Sequence, residues 1–116
     1  MARRDPLERL RAICLALPEA TEKETWGEPT FRVRDKIFAT IWFADGRASM
    51  CCKALPGTQE ILVGSDARRF FVPPYVGHRG WVGVRLDVAV DWGHVADMVE
   101  ESYRMTAPKR LAALIE

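Results

Sequence analysis

Residues 68–86 read RRFFVPPYVGHRGWVGVRL, and this stretch predicts two strands that are joined by a rigid loop. The prolines at positions 73 and 74 cannot donate to a sheet ladder, so the extended run 70–72 ends there or lies at a sheet edge. Gly77 and Gly80 allow the positive φ values that a tight reversal needs. Residues 81–86 then alternate as a strand, with Val82 and Val84 on one face and Arg85 on the other.

The loop between the two strands combines positive charge with aromatic rings and has no acidic residue. His78 and Arg79 lie between glycines and place a guanidinium beside exposed backbone N–H groups, an arrangement that suits an anion. In the structural alternative, Arg79 pairs with an acid of a neighbouring element and His78 bonds a loop carbonyl. The sequence leaves both interpretations open.

The composition is that of one domain, residues 1–116, with a core of its own. Hydrophobic residues make up 48% of the chain, which is enough to fold without disulfides or metals. The 17 basic and 16 acidic residues give a net charge of +1, so the total charge does not favour nucleic acid. Basic residues nevertheless predominate between positions 31 and 53, and acidic residues gather near the end of the chain, which indicates a bipolar surface.

The cysteine pattern and the N-terminus predict in which cellular compartment the protein lies. Cys14, Cys51 and Cys52 have no CxxC spacing, and neighbours on a strand point to opposite faces, so we expect no metal and no cofactor. The N-terminus lacks the apolar run of a signal peptide, and no window is long enough to span a membrane. We expect a cytoplasmic protein that does not bind membranes.

Two hairpins are predicted between residues 30 and 53. The first turn is centred on Asp35-Lys36 and the second on Asp45-Gly46, because Asp-Gly between β-rich runs is a strong hairpin signal. Alternation along these strands predicts one apolar sheet face. The other face is predicted to be polar and basic and to carry Arg32, Arg34, Arg47 and Lys53.

Helices are predicted before, between and after the strands. Asp5 as N-cap and Pro6 at the first position begin a helix that ends before Pro18. Thr58 begins a short helix, and Asp91 caps a long one whose apolar stripe is predicted as Trp92, Ala96, Val99 and Tyr103. A last short helix is predicted, with the side chains of Leu111, Leu114 and Ile115 pointing toward the core. This order predicts an α+β two-layer sandwich, with helices packed on one face of an antiparallel sheet.

No catalytic constellation is recognisable in the sequence. None of the serines lies in a nucleophile-elbow motif, and the glycines of the loop do not form a phosphate-binding fingerprint. We therefore expect no enzymatic activity, with a reaction centred on His78 as the alternative. Trp26, Trp42 and Trp81 can stack nucleobases on an open sheet, but tryptophans of a small domain belong more often to the core or its rim.

Several segments match a known family signature in order along the chain. They are Leu17-Pro18, WGEPTF at 26–31, RFFVPPYVGHRGWVGVRL at 69–86, Asp91-Trp92 and APKRL at 107–111. Together they resemble the MmcQ/YjbR family of small bacterial proteins. The resemblance implies a CyaY-like fold and DNA binding through a double-wing arrangement of β-hairpins. It does not extend to frataxin-type iron binding, which depends on an acidic first helix, whereas the helix here carries Arg9 and Arg11.

We expect a non-enzymatic DNA-binding protein that contacts phosphates without sequence preference, with a monomer favoured. The alternative is an adaptor module that binds a protein or a small anion through the loop of residues 73–81. The side chains predicted to contact nucleic acid are Arg32, Arg34, Lys36, Arg47, Lys53, His78, Arg79 and Arg85.

Overall fold

The computed structural model describes residues 6–25, 27–44 and 46–115. The strands are β1 (Ala20–Thr25), β2 (Glu28–Val33), β3 (Lys36–Ala44), β4 (Arg47–Cys52), β5 (Phe70–Phe71) and β6 (Val82–Arg85). The helices are α1 (Pro6–Leu15), α2 (Thr58–Ser65), α3 (Trp92–Thr106) and α4 (Lys109–Ala112), with 3-10 turns at Gly77–Arg79 and Ala113–Ile115. The predicted N-cap Asp5, the ring of Trp26 and the turn residue Asp45 lie outside the described residues.

The strands form one antiparallel sheet in the order β1-β2-β3-β4-β6-β5. Helix α3 packs across β3, where the ring of Tyr103 meets the ring of Phe38 edge-on at 5.4 Å. Helix α1 closes the same core with Leu10 and Cys14, which are fully buried. The predicted α+β two-layer sandwich is therefore confirmed. Below, the sheet face opposite this core is called the outer face.

Helix α3 begins where the sequence predicts, because the carboxylate of Asp91 accepts a hydrogen bond from the backbone N–H of His94 at 3.1 Å. The predicted apolar stripe is partly wrong. The residues that α3 buries are Val95, Met98, Val99, Ser102, Tyr103 and Thr106. Ala96 is only partly buried. The true stripe keeps helical spacing but includes two hydroxyl residues, which an apolar pattern passes over.

The prediction that Leu114 points inward is also wrong, since this side chain is 66% exposed. Helix α4 ends at Ala112, and the 3-10 turn that follows has a different angular spacing of side chains. Leu111 and Ile115 do pack against the core.

A β-bulge in β3 changes which residues reach the outer face. Phe31 lies opposite Ala39, but Arg32 lies opposite Ile37, so Phe38 is an extra residue in the ladder. Phe38 and Ala39 are consequently both fully buried in the core, which strict alternation forbids. The bulge leaves Ile37 facing the other way, toward a pocket of the outer face.

The first hairpin turn is Arg34-Asp35, one residue earlier than predicted. Both residues have positive φ values, 51° and 66°, as the two-residue type I′ turn requires. This turn matches the twist of the strands it joins, and Asp tolerates the left-handed region better than most residues. Arg34 therefore lies in the turn and not in the strand, so strand alternation does not place its side chain on the same face as that of Arg32.

An aromatic cluster covers part of the outer face near Gly83. The ring of Phe71 lies against this glycine so closely that a Cβ at position 83 would overlap with it. Phe71 also lies beside Trp42, with ring centroids 6.3 Å apart, and the guanidinium carbon of Arg85 is 4.5 Å from its centroid. The glycine is thus required by the ring that covers it.

We predict that Gly83→Ala lowers the free energy of unfolding by about 1–3 kcal/mol, because the added methyl group must displace the ring of Phe71. Gly64→Ala is the matched control: a Cβ there meets no atom within 4 Å, and in a helix the change is neutral or stabilising by up to about 1 kcal/mol. Urea unfolding of both variants measures the difference. A Gly83→Ala protein as stable as Gly64→Ala would contradict the proposed packing.

Candidate anion-binding site

A concave pocket of about 520 Å³ lies on the outer face, between the central strands and the loop that precedes β6. Its walls are formed by the first hairpin, by outward residues of β3 and β4, and by the proline-rich loop. The lining residues are Arg32, Asp35, Lys36, Ile37, Thr40, Trp42, Cys51, Lys53, Pro73, Pro74, Val76, Arg79 and Trp81. We call this the outer-face pocket.

Four cationic side chains from separate segments of the chain line this pocket. Arg32 comes from β2, Lys36 from the start of β3, Lys53 from the residue after β4, and Arg79 from the 3-10 turn. Within the described residues, Lys36, Lys53 and Arg79 form no ion pair with a carboxylate. The pocket therefore concentrates positive charge that the protein itself leaves largely uncompensated.

Arg32 is held in place by neighbouring hydroxyl groups. Its Nε donates to Thr30 Oγ1 at 3.2 Å, and its Nη2 donates to Thr25 Oγ1 at 2.9 Å. Its acidic partner is Asp35, at 3.4 Å from Nη1, but the Asp35 side chain is 83% exposed, so water weakens this ion pair. The guanidinium is thus fixed in direction, and an exposed carboxylate offsets part of its charge.

The surroundings of Lys53 in the pocket change its pKa. Partial burial lowers the pKa of its ammonium group, and the nearby charges of Lys36 and Arg79 lower it further. The lowered pKa means that the protonated form is disfavoured by its surroundings. The part of this shift that comes from Lys36 and Arg79 reflects the closeness of three positive charges in the pocket.

Two buried polar side chains position the cations, and neither was singled out by the sequence. Ser102 Oγ accepts a hydrogen bond from the backbone N–H of Lys53 at 3.0 Å and donates to the carbonyl of Phe38 at 2.5 Å. Gln59 Nε2 donates to the carbonyl of Gly77, the first residue of the turn that carries Arg79, and to the carbonyl of Trp81, two residues after that turn. Ser and Gln are common residues with no motif around them here, so only the contacts reveal their role.

The other predicted cations do not join the pocket. Arg34 pairs with Glu19 at 2.7 Å, and Arg47 pairs with Asp87 at 2.7 Å. These hydrogen bonds lower the pKa of each carboxyl below its usual value.

Arg85 and His78 also lie away from the pocket. Arg85 stacks on Phe71, and His78 lines a second pocket together with Gly57 and Glu60, a pocket that Arg79 also borders. The structure thus brings together Arg32, Lys36, Lys53 and Arg79 and separates the other four predicted side chains.

The cysteine thiols are poorly placed for nucleophilic chemistry. Cys14, Cys51 and Cys52 are free and buried, and burial raises the pKa of each thiol, that of Cys51 to about 12. In the parts of the chain that the structure describes, no three His, Cys, Asp or Glu side chains are placed to hold a metal ion. Among the described helices, none has the length and apolar character needed to cross a membrane.

The fold and the pocket define the class of protein: an α+β sandwich with a cationic pocket on the outer face of its sheet. The family model described as YjbR matches residues 15–105, so the chain belongs to the YjbR family. The resemblance seen in the sequence is confirmed. No curated protein matches the chain by sequence.

A solved structure supports the same fold. The crystal structure of the Deinococcus radiodurans protein DR2400, which has a DUF419 domain, superposes with a TM-score of 0.76 at 20% sequence identity. The match covers 89% of this chain and 81% of the Deinococcus chain. At this identity the likeness concerns the fold alone.

We predict that Ser102→Ala lowers the free energy of unfolding by about 1–3 kcal/mol, because the N–H of Lys53 and the carbonyl of Phe38 lose a buried partner. Ser65→Ala is the matched control, since this exposed hydroxyl bonds only the carbonyl of Leu62 and its loss costs less than about 0.5 kcal/mol. Chemical unfolding compares the two. Equal stabilities would show that Ser102 does not join the helix to the strands.

Proposed function

We propose that this chain is a non-enzymatic DNA-binding protein that holds backbone phosphates at the outer-face pocket. The observation that supports this proposal is the convergence of Arg32, Lys36, Lys53 and Arg79, three of which have no acidic partner among the described residues. Lys and Arg side chains bind phosphate oxygens through charge-assisted hydrogen bonds. The family resemblance implies the same class of ligand.

The proposed contact set is smaller than the set predicted from the sequence. Arg34 and Arg47 already neutralise Glu19 and Asp87 at exposed positions, so replacing those carboxylates by phosphates gains little. We assume that about three or four phosphates are neutralised. A plot of the logarithm of the DNA association constant against the logarithm of the salt concentration then has a slope of about −3. Contacts of this kind carry affinity and no sequence preference.

The concave shape of the site favours a second candidate, the binding of a small anionic ligand. Pockets for small molecules have volumes of about 300–1,000 Å³, and the outer-face pocket, at about 520 Å³, falls within that range. The proline-rich loop supplies one wall, as the adaptor hypothesis requires. Under this candidate, a small anion saturates the pocket and DNA does not compete for it.

We predict that the triple variant Lys36→Ala/Lys53→Ala/Arg79→Ala weakens DNA binding at least about tenfold and makes the salt slope shallower by about one per residue. The matched control is Arg34→Ala/Arg47→Ala/Arg68→Ala, which removes the same number of positive charges outside the pocket. Fluorescence anisotropy with a labelled DNA at several salt concentrations measures both. Equal losses in the two variants would show that net charge, and not the pocket, determines binding.

We further predict that Asp35→Asn strengthens DNA binding by about two- to fivefold, since it removes the one carboxylate among the described pocket residues. Asn tolerates the positive φ of position 35 as well as Asp does, so the turn is kept. The same anisotropy titration applies. Unchanged or weaker binding would contradict a phosphate at this rim of the pocket.

A further inference from the structure

The lining of the outer-face pocket combines apolar residues with its cations. The indole rings of Trp42 and Trp81 and the rings of Pro73 and Pro74 line it together with Ile37 and Val76. A phosphate group alone does not use such surfaces, because it gains nothing from contact with apolar rings. The ligand that fits this pocket has a flat, apolar part and a negatively charged part side by side.

The flat surfaces of the pocket are held rigidly in place. The backbone carbonyl of Trp42 accepts a hydrogen bond from Ser49 Oγ at 2.8 Å. The indole ring of Trp42 lies beside the ring of Phe71, which in turn lies against Gly83. The Trp81 backbone is held by Gln59, and its side chain is almost fully buried. Trp42 is only partly buried, so it presents an ordered aromatic surface to the pocket at little cost in conformational freedom.

A DNA duplex cannot satisfy both parts of this pocket. Its bases are paired and stacked inside the helix, so a duplex can place phosphates against the cations but brings no base to the apolar residues. An unpaired nucleotide can place its base against the rings and its phosphate among the cations. Stacking of a base on an aromatic side chain, with basic groups following the backbone, is how single strands are commonly bound.

We propose that the outer-face pocket takes an unpaired nucleotide of a DNA strand, with the base against Trp42 and the adjoining prolines and the phosphate between Lys36, Lys53 and Arg79. This inference rests on the proposed DNA-binding function and specifies the form of DNA. The protein therefore prefers single-stranded over double-stranded DNA.

The experiment compares four ligands by competition against a labelled oligothymidylate: the unlabelled strand, its duplex with oligoadenylate, an abasic strand of the same length, and thymidine monophosphate. We expect the strand to bind about tenfold or more tightly than the duplex and than the abasic strand. Trp42→Ala should lower affinity for the strand about tenfold and leave the duplex and abasic affinities unchanged, while Trp42→Phe keeps most of the strand affinity. The abasic ligand tests the base without any change to the protein.

The outcomes separate this inference from the function on which it rests. A duplex that binds as tightly as the strand, with the Lys36, Lys53 and Arg79 dependence intact, would overturn the inference and keep the DNA-binding function. Equal affinities for the intact and abasic strands would overturn it as well. Thymidine monophosphate that binds as tightly as the strand would assign the pocket to a free nucleotide and overturn both proposals.

Discussion

The geometry of the outer face depends on two hydrogen bonds that the hydroxyl group of Ser102 forms. From the buried side of α3 it donates to Phe38 in the β-bulge and accepts from the backbone of Lys53 just beyond β4. A buried polar group is costly when it has no partner, so this pairing specifies one register of helix against sheet. The bulge in turn directs Ile37 outward, and the fixed backbone at 53 places the ammonium group that the site requires.

Charge pairing explains how a chain with a net charge of +1 can carry a strongly cationic pocket. Acidic side chains neutralise several arginines outside the pocket, as Glu19 does for Arg34 and Asp87 for Arg47. Among the described residues that line the pocket, the exposed Asp35 is the one carboxylate near these cations. The pocket thus gathers four cations with little compensating negative charge, and the pKa of Lys53 is lowered first by its partial burial and then by the charges of Lys36 and Arg79.

The sequence predicts the fold better than the site, for physical reasons. Asp-Gly, Pro-Pro and the glycines of the loop act locally, so they predict hairpins and strand ends without knowledge of the tertiary structure. The convergence of Arg32, Lys36, Lys53 and Arg79 depends on strand order and on the bulge, which no local pattern contains. Alternation grouped Arg32 with Arg34, but the type I′ turn separates them.

Two-dimensional NMR of the ¹⁵N-labelled protein during titration with a short single-stranded DNA locates the surface that the DNA contacts. If the outer-face pocket is the binding site, chemical shifts change together at the amides of Lys36, Lys53 and Arg79 and at the indole N–H groups of Trp42 and Trp81. Signals of α1 and α3, on the other side of the sheet, stay in place. Changes confined to those helices, or to the paired arginines at the periphery, would contradict the account.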